Sequence, residues 1–197
     1  MKRLITSICT IIALTLPAFA FASTWTIDPD HSNVGFKVRH LMVSNVKGSF
    51  EKLAGVVDIN DADITKSKVS VTIDTASINT NVKKRDEHLR SADFFDVATF
   101  PTMTFVSKKV AKAGNDKLKV TGDLTLHGIT REVVLDVEGP TKESKDPWGI
   151  MRSGAVASTK INRKDFGLVW NKALETGGVA VGEEVTISLE IEMIKGK

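Results

Sequence analysis

The chain has 197 residues, with 27 basic and 24 acidic side chains and a formal net charge of +3. Lys2 and Arg3 lie in the first stretch, so the rest is nearly neutral, and clusters such as Lys83-Lys84-Arg85 and Arg163-Lys164 read as solvated faces; nothing here offers the broad basic surface a nucleic-acid partner requires. Beyond that stretch, about 175 residues are enough for one well-buried domain and marginal for two.

Residues 1–22 have the three parts of a secretory signal: Lys2 and Arg3, an apolar centre from Ile8 to Leu16, and overlapping A-x-A sites at Ala18-Phe19-Ala20 and Ala20-Phe21-Ala22. The expectation is cleavage after Ala22, a mature chain opening Ser23-Thr24-Trp25, a periplasmic location, and one domain over residues 23–197. Thr6, Ser7, Thr10, Thr15 and Pro17 make the segment poor for spanning a bilayer as an uncleaved anchor. Cys9, the single cysteine, falls inside it. The mature protein is therefore expected to hold itself together without a disulfide.

Apolar and polar residues then alternate in runs broken by turns, the pattern of an antiparallel sheet with one dry face. The runs are Trp25–Asp28 and Asn33–Val43, which Pro29 allows to be one bent strand, Val46–Asn60 with a bend near Gly55, and Lys68–Asp74. After a helical interruption come Thr102–Lys112, Leu118–His127, a tight turn His127–Thr130, Glu132–Glu138, Ile150–Ile161 and Glu184–Ile194. Gly139–Pro147 and Ala173–Gly182 read as polar loops. About eight strands suit a closed barrel or a sandwich, and periodicity leaves both open. The alternation assigns Val34, Phe36, Val38, Phe105, Leu124, Leu126, Val133, Leu135, Ile187 and Leu189 to one shared interior.

The interruption, Asn81 to Phe105, is the one long helical reading. Asn79, Thr80 and Asn81 are candidate caps, Val82, Leu89 and Ala92 share a face, and Lys83, Lys84, Asp86, Glu87 and Arg90 take the other. Ser91 with Asp93 offers a second cap for one more turn, aiming Phe94 and Phe95 together, before Phe100-Pro101 forces extended chain. Such an insertion predicts a lid over one end of the strands.

Along Met151–Ile161 both faces are small or polar, with Ser153, Ala155, Ala157 and Thr159 on one and Gly154, Val156 and Ser158 on the other. A close-packed interior must fill the space they leave, either with a ligand or with large side chains, Trp25, Trp148, Trp170 and the phenylalanines. The four histidines, His31, His40, His88 and His127, show no metal-ligand spacing and fall on four elements. Asp58–Asp63 lacks the Gly and distal Glu of a calcium loop, and Asp165-Phe166-Gly167 reads as a turn. There is no G-x-S-x-G elbow or Gly-rich phosphate loop.

Taken together, a set of blocks closely resembles the YceI-like family of exported proteins. They are Trp25-Thr26-Ile27-Asp28, His31-Ser32-x-Val34-x-Phe36-x-Val38-x-His40, Gly48-Ser49-Phe50, Arg85-Asp86-x-His88-Leu89, Asp93-Phe94-Phe95-Asp96, Phe100-Pro101, Gly122-x-Leu124-Thr125-Leu126-His127-Gly128 and Ile161-Asn162-Arg163-x-Asp165-Phe166-Gly167. The blocks occur in order over nearly all of the chain after residue 22. The resemblance implies an all-β, eight-stranded antiparallel lipocalin-like barrel with a helical insertion, holding a long amphiphile of the polyisoprenoid kind, with no cofactor, no metal and no family-wide catalytic set. On that reading Phe94, Ala155 and Ala157 join the ten alternating residues as the tunnel wall. Arg39, Arg85 and Arg163, with Arg90 and Arg152 behind them, are the head-group cations, and His88 is their titratable companion. A carrier of this kind is compatible with transient contact with a membrane and with either a monomer or a homodimer. An enzyme acting on such a lipid, or a partner-binding structural protein with a filled barrel, are the alternatives.

Overall fold

The structure, a computed structural model, describes residues 22–175 and 177–196; the expected leader lies outside the described residues except for Ala22. In chain order the strands are β1 (Ala22–Ile27), β2 (Asn33–His40), β3 (Ser44–Phe50), β4 (Leu53–Asn60), β5 (Lys68–Asp74) and β6 (Ile78–Asn79). Helix α1 (Lys83–Arg90) follows, then β7 (Thr102–Gly114), β8 (Lys117–Leu126), β9 (Ile129–Glu138), β10 (Ser144–Lys145), β11 (Met151–Asn162) and β12 (Val181–Lys195). The strictest alternation in the sequence becomes the longest strand, β12, and the barrel closes on it. One edge of β12 pairs with β11 from Asn162↔Glu184 to Arg152↔Ile194, while the other takes β2 at Leu189↔Val34 and β1 at Met193↔Ile27. From β1 the ring continues through β4, β5, β7, β8 and β9 back to β11.

Eight staves result because three of them are each made of two strands, β1 with β2, β3 with β4 and β5 with β6, while the two-residue β10 lies outside the ring. β1 and β2 follow one path interrupted by a single turn at Pro29–His31, where the Asp28 carboxylate accepts the Asp30 N–H. The run expected as one strand from Val46 to Asn60 is also two, and it breaks at Glu51-Lys52 rather than bending at Gly55. Glu51 N–H bonds to Ser77 O, and Lys52 O accepts from Asp74 N–H. At that point the chain leaves β2 and β6 and takes β1 and β5 as partners. The Gly139–Pro147 loop contains a further short pairing, β10 with β11. The turn at His127-Gly128 is tighter than expected, since β9 begins at Ile129 and not at Glu132.

These registers fix two ends. At the upper end lie the β2–β3 turn, the β8–β9 turn, the α1 insertion and the connection from β11 to β12; at the lower end lie the β4–β5, β7–β8 and β9–β11 connections. β9 and β11 pair only from Asp136↔Ser158 to Glu138↔Val156. Above that they diverge, and the turn Arg163–Phe166 packs against both, burying Phe166.

Helix α1 is shorter than the sequence reading and is capped otherwise. Its first flanking residue is Val82, which has no side-chain cap. Asn79 instead accepts from Asn81 N–H in a local turn, and buried Asp86 reaches back from the first helical turn to Thr80 N–H at 2.9 Å. Ser91 starts a hydrogen-bonded turn and not another helical turn, with Phe94 N–H on Ser91 O. That turn sends the two aromatics to different partners and not together, Phe95 onto Phe50 edge-on at 5.5 Å and Phe94 onto Trp170.

Candidate functional site

The staves enclose a cavity of about 270 Å³ that runs from Val181, Leu168 and Arg163 at the upper end to Ile64, Leu118 and Pro140 at the lower. Its wall is apolar because every second residue of each stave points inward; Ser67, Thr159 and Arg163 are the only polar lining residues among those described. All thirteen residues assigned to a tunnel wall line it: Val34, Phe36, Val38, Phe94, Phe105, Leu124, Leu126, Val133, Leu135, Ala155, Ala157, Ile187 and Leu189. Strand β11 contributes the room. Ala157 stands between Val137 and Leu189 on the neighbouring staves, and Ala155 stands opposite Ile191. Gly154, on the other face, gives its N–H to Thr141 Oγ1.

Among the described residues no tryptophan lines this space, whereas Phe36, Phe50, Phe94, Phe95 and Phe105 do. Trp148 is 82% exposed on the lower loop. Trp170 lies in the upper connection with its ring 5.0 Å from that of His88, and Trp25 is buried with its indole N–H on Ser23 Oγ at 3.0 Å. The interior is fitted instead by smaller exchanges. At Gly122 a Cβ would stand 2.5 Å from the Phe105 ring and 2.6 Å from Val106 O, so the missing side chain is what lets Phe105 lie across β8.

Of the proposed head-group cations, the structure brings only Arg163 to the cavity. Arg39 is exposed and donates to Met42 O. Arg85 is bound to Thr80 through Oγ1 and the carbonyl, and Arg90 to the Ala76 and Ile78 carbonyls, so both fasten the insertion to β6. His88 pairs with Asp93 at 2.8 Å and stacks edge-on against Phe94 and Trp170, as part of the lid rather than the lining. Arg163 is 3% exposed and donates to the carbonyls of Gly182, Leu168 and Val181, clamping the β11–β12 connection. A guanidinium has five N–H groups. Those carbonyls take one from each nitrogen, and burial pulls the Arg163 pKa below the ordinary arginine value, partly offset by Glu183.

Sequence reasoning missed what Arg152 does. At the lower end, outside the cavity, it donates to Asp146 at 2.8 Å, Asp28 at 2.7 Å and Glu192 at 2.5 Å, joining a loop to β1 and β12. Arg152 holds the Asp28 carboxyl below the usual carboxylate range, with His31 second, and does the same to Asp146. Asp28 in turn raises His31. Asp28, His31 and Glu192 converge closely enough to hold a metal ion, but the Arg152 guanidinium already sits between both carboxylates and meets their charge.

A closed antiparallel barrel with an apolar interior and a helix-bearing lid defines a lipocalin-like protein. The chain belongs to the YceI-like family, whose domain matches residues 25–193. It is 40% identical over 170 residues to a UPF0312 protein of Vibrio cholerae, covering 85% of this chain and 89% of that one. A Campylobacter jejuni YceI protein of known structure shares 35% identity with a TM-score of 0.68 over 80% of this chain and 90% of its own. A polyisoprenoid-binding domain from Saccharophagus degradans, implicated in plant cell wall breakdown, has the same fold at a TM-score of 0.63 and 17% identity, covering 87% of this chain and 98% of that one.

Proposed function

We propose that the protein is an exported carrier that holds a polyisoprenoid or similar long-chain amphiphilic lipid inside the barrel, its polar end toward Arg163. The observation that carries this reading is the cavity itself, apolar along the whole barrel, with one buried cation at its upper end. Its volume of about 270 Å³ lies just below the roughly 300–1,000 Å³ of small-molecule pockets, so it is a narrow space that excludes a bulky ligand. Each methylene buried from water is worth roughly 0.8 kcal/mol. A lipid drawn from a bilayer leaves an equally apolar phase, so loading is near balance and the polar contact decides it. The polyisoprenoid named for the Saccharophagus degradans domain supports the ligand class.

Chemistry on the ligand would need a general base, and the described lining residues include no His, Asp, Glu or Cys to activate the Ser67 or Thr159 hydroxyl; this favours binding over catalysis. Export rests on residues 1–22, and cleavage after Ala22 removes only the first residue of β1, paired with Asn60, while Ser23 and the residues after it keep their pairings with β4. Intact mass of the protein recovered from the periplasm, followed by mass spectrometry of its organic extract, tests both parts. The expected results are a chain starting at Ser23 and a stoichiometric long-chain amphiphile. A retained leader refutes the export reading, and a lipid-free wild type after gentle purification refutes the carrier.

A further inference from the structure

The β2–β3 turn is built against local preference. Val43 N–H bonds to His40 O, and the two residues between them, Leu41 and Met42, have φ of 48° and 59°. This is the type I′ pattern, which selects Asn-Gly because a Cβ is unfavourable at positive φ. Here both positions carry large apolar side chains. Leu41, Met42 and the following Val43 are 40%, 50% and 74% exposed, so the strain does not serve the core. Arg39 braces the turn from outside through Met42 O at 2.8 Å.

Beneath the tip, the outward face of the same hairpin is basic. Lys37 stands directly opposite Lys47, a like-charge pairing that weakens a hairpin. The ion pairs at this end go to Lys83, His88, Lys160 and Lys164, leaving Lys37 and Lys47 without one among the described residues. An exposed apolar tip above two directly opposed lysines that have no ion pair carries two separate costs, and a partner that is apolar beneath an anionic surface offsets both.

We propose that the β2–β3 hairpin is a membrane anchor: Leu41, Met42 and Val43 enter the interface of an anionic phospholipid bilayer while Lys37, Arg39 and Lys47 meet its head groups. Three side chains are far too small a patch for a stable contact between proteins, which buries about 1,200–2,000 Å². A bilayer interface accepts a small apolar wedge together with basic residues. Docking would set the upper end of the barrel, where Arg163 lines the cavity, against a lipid source. The proposal shares with the carrier reading only that source, and the geometry of the hairpin stands without it.

The test is co-sedimentation of the purified chain, its N-terminus established by mass, with vesicles of phosphatidylethanolamine and phosphatidylglycerol or of phosphatidylcholine alone. The wild type is expected to sediment with the anionic vesicles, less so as salt rises, and to stay in solution with phosphatidylcholine. Leu41→Asn with Met42→Gly keeps the turn and removes two of the three side chains of the wedge. That variant should melt no lower than wild type, since its residues suit positive φ, while binding falls by roughly 10- to 100-fold, the scale of withdrawing the exposed 40% of Leu41 and 50% of Met42 from the bilayer. Lys37→Gln with Lys47→Gln should also weaken binding and flatten its salt dependence. Extracting lipid from the turn variant reads cavity loading separately, so an empty cavity with intact docking, or the reverse, identifies which reading fails. A wild type that ignores anionic vesicles overturns the proposal. So does a turn variant that binds like wild type, or one whose only change is loss of self-association, which would make the tip a contact between copies.

Discussion

Replacing Ala157 with Phe separates a hollow barrel from a filled one. Ala157 is 8% exposed, faces the cavity, and stands between Val137 and Leu189. A phenyl group there would project into a space of about 270 Å³. Burying a Phe side chain is worth about 1.5–3 kcal/mol, from which some strain against Leu189 must be subtracted. The expected net gain in the hollow barrel is about 1 kcal/mol, a rise in Tm of roughly 2–4 °C for a domain of this size. In a filled barrel the same change costs about 1–3 kcal/mol through overpacking, and Tm falls instead. Bound lipid would itself stabilise the wild type by mass action, so both proteins are compared after delipidation in detergent and exchange into buffer. The second readout is the organic extract before delipidation, where Ala157→Phe should lose the amphiphile that the wild type retains. Ala155→Phe, one inward position further down β11, is the replicate. If both variants are destabilised and the wild type yields no lipid, the hollow-barrel argument is refuted.

Three further outcomes follow from named contacts. Leu189→Asp puts a carboxylate on the apolar wall opposite Ala157 and Val34 and should cost several kcal/mol, on the order of the penalty for an unpaired buried charge; wild-type melting would overturn the inward assignment of β12. Arg163→Met leaves the Gly182, Leu168 and Val181 carbonyls without their donor, a loss of about 3 kcal/mol or roughly 6–12 °C in Tm, and unchanged thermal scans would show that the clamp is idle. The Asp28 carboxyl is held below its ordinary value of 3.8 by Arg152 and then His31, so its contribution is complete above that pH and lost as the pH falls through the lowered value. His31, raised above 6.5 by Asp28, contributes stability present below pH 6.5 and lost as the pH rises through its raised value. Asp28→Asn should flatten both limbs of a Tm-against-pH profile, and a profile parallel to wild type would refute the linkage.

The inward faces of the staves were legible because alternation has a period of two, and a register error would turn a whole strand's apolar set toward water. That rule placed residues as far apart as Val34 and Ile187 on one wall. The break at Glu51-Lys52 shows in the sequence only as a shift of phase, since buried Phe50 and buried Leu53 are three residues apart and not two, and there the hydrogen-bonding partners change from β2 and β6 to β1 and β5. Helix α1 was legible in position and not in its start. Three polar residues that each suit a cap precede it, and the choice fell to a tertiary contact, Asp86 reaching back to Thr80.

The arginines show why charge is harder to read than hydrophobic pattern. An apolar residue's role follows from its immediate neighbours in the chain, which set the face it occupies. An arginine's role depends on which acceptors the fold delivers, and for Arg152 these are Asp146 close by, Glu192 on the next stave and Asp28 at the other end of the chain. Arg85 and Arg90 looked like free surface cations on a lid, but the carbonyls of Ala76, Ile78 and Thr80 claim them. Only Arg163, which follows β11 directly, is carried to the cavity by the strand that supplies the small residues. Its neighbour in sequence, Asn162, accepts Lys164 N–H and starts the turn that buries Arg163. The signal that could have singled it out was position, an arginine at the end of the one strand too small to fill its own share of the core.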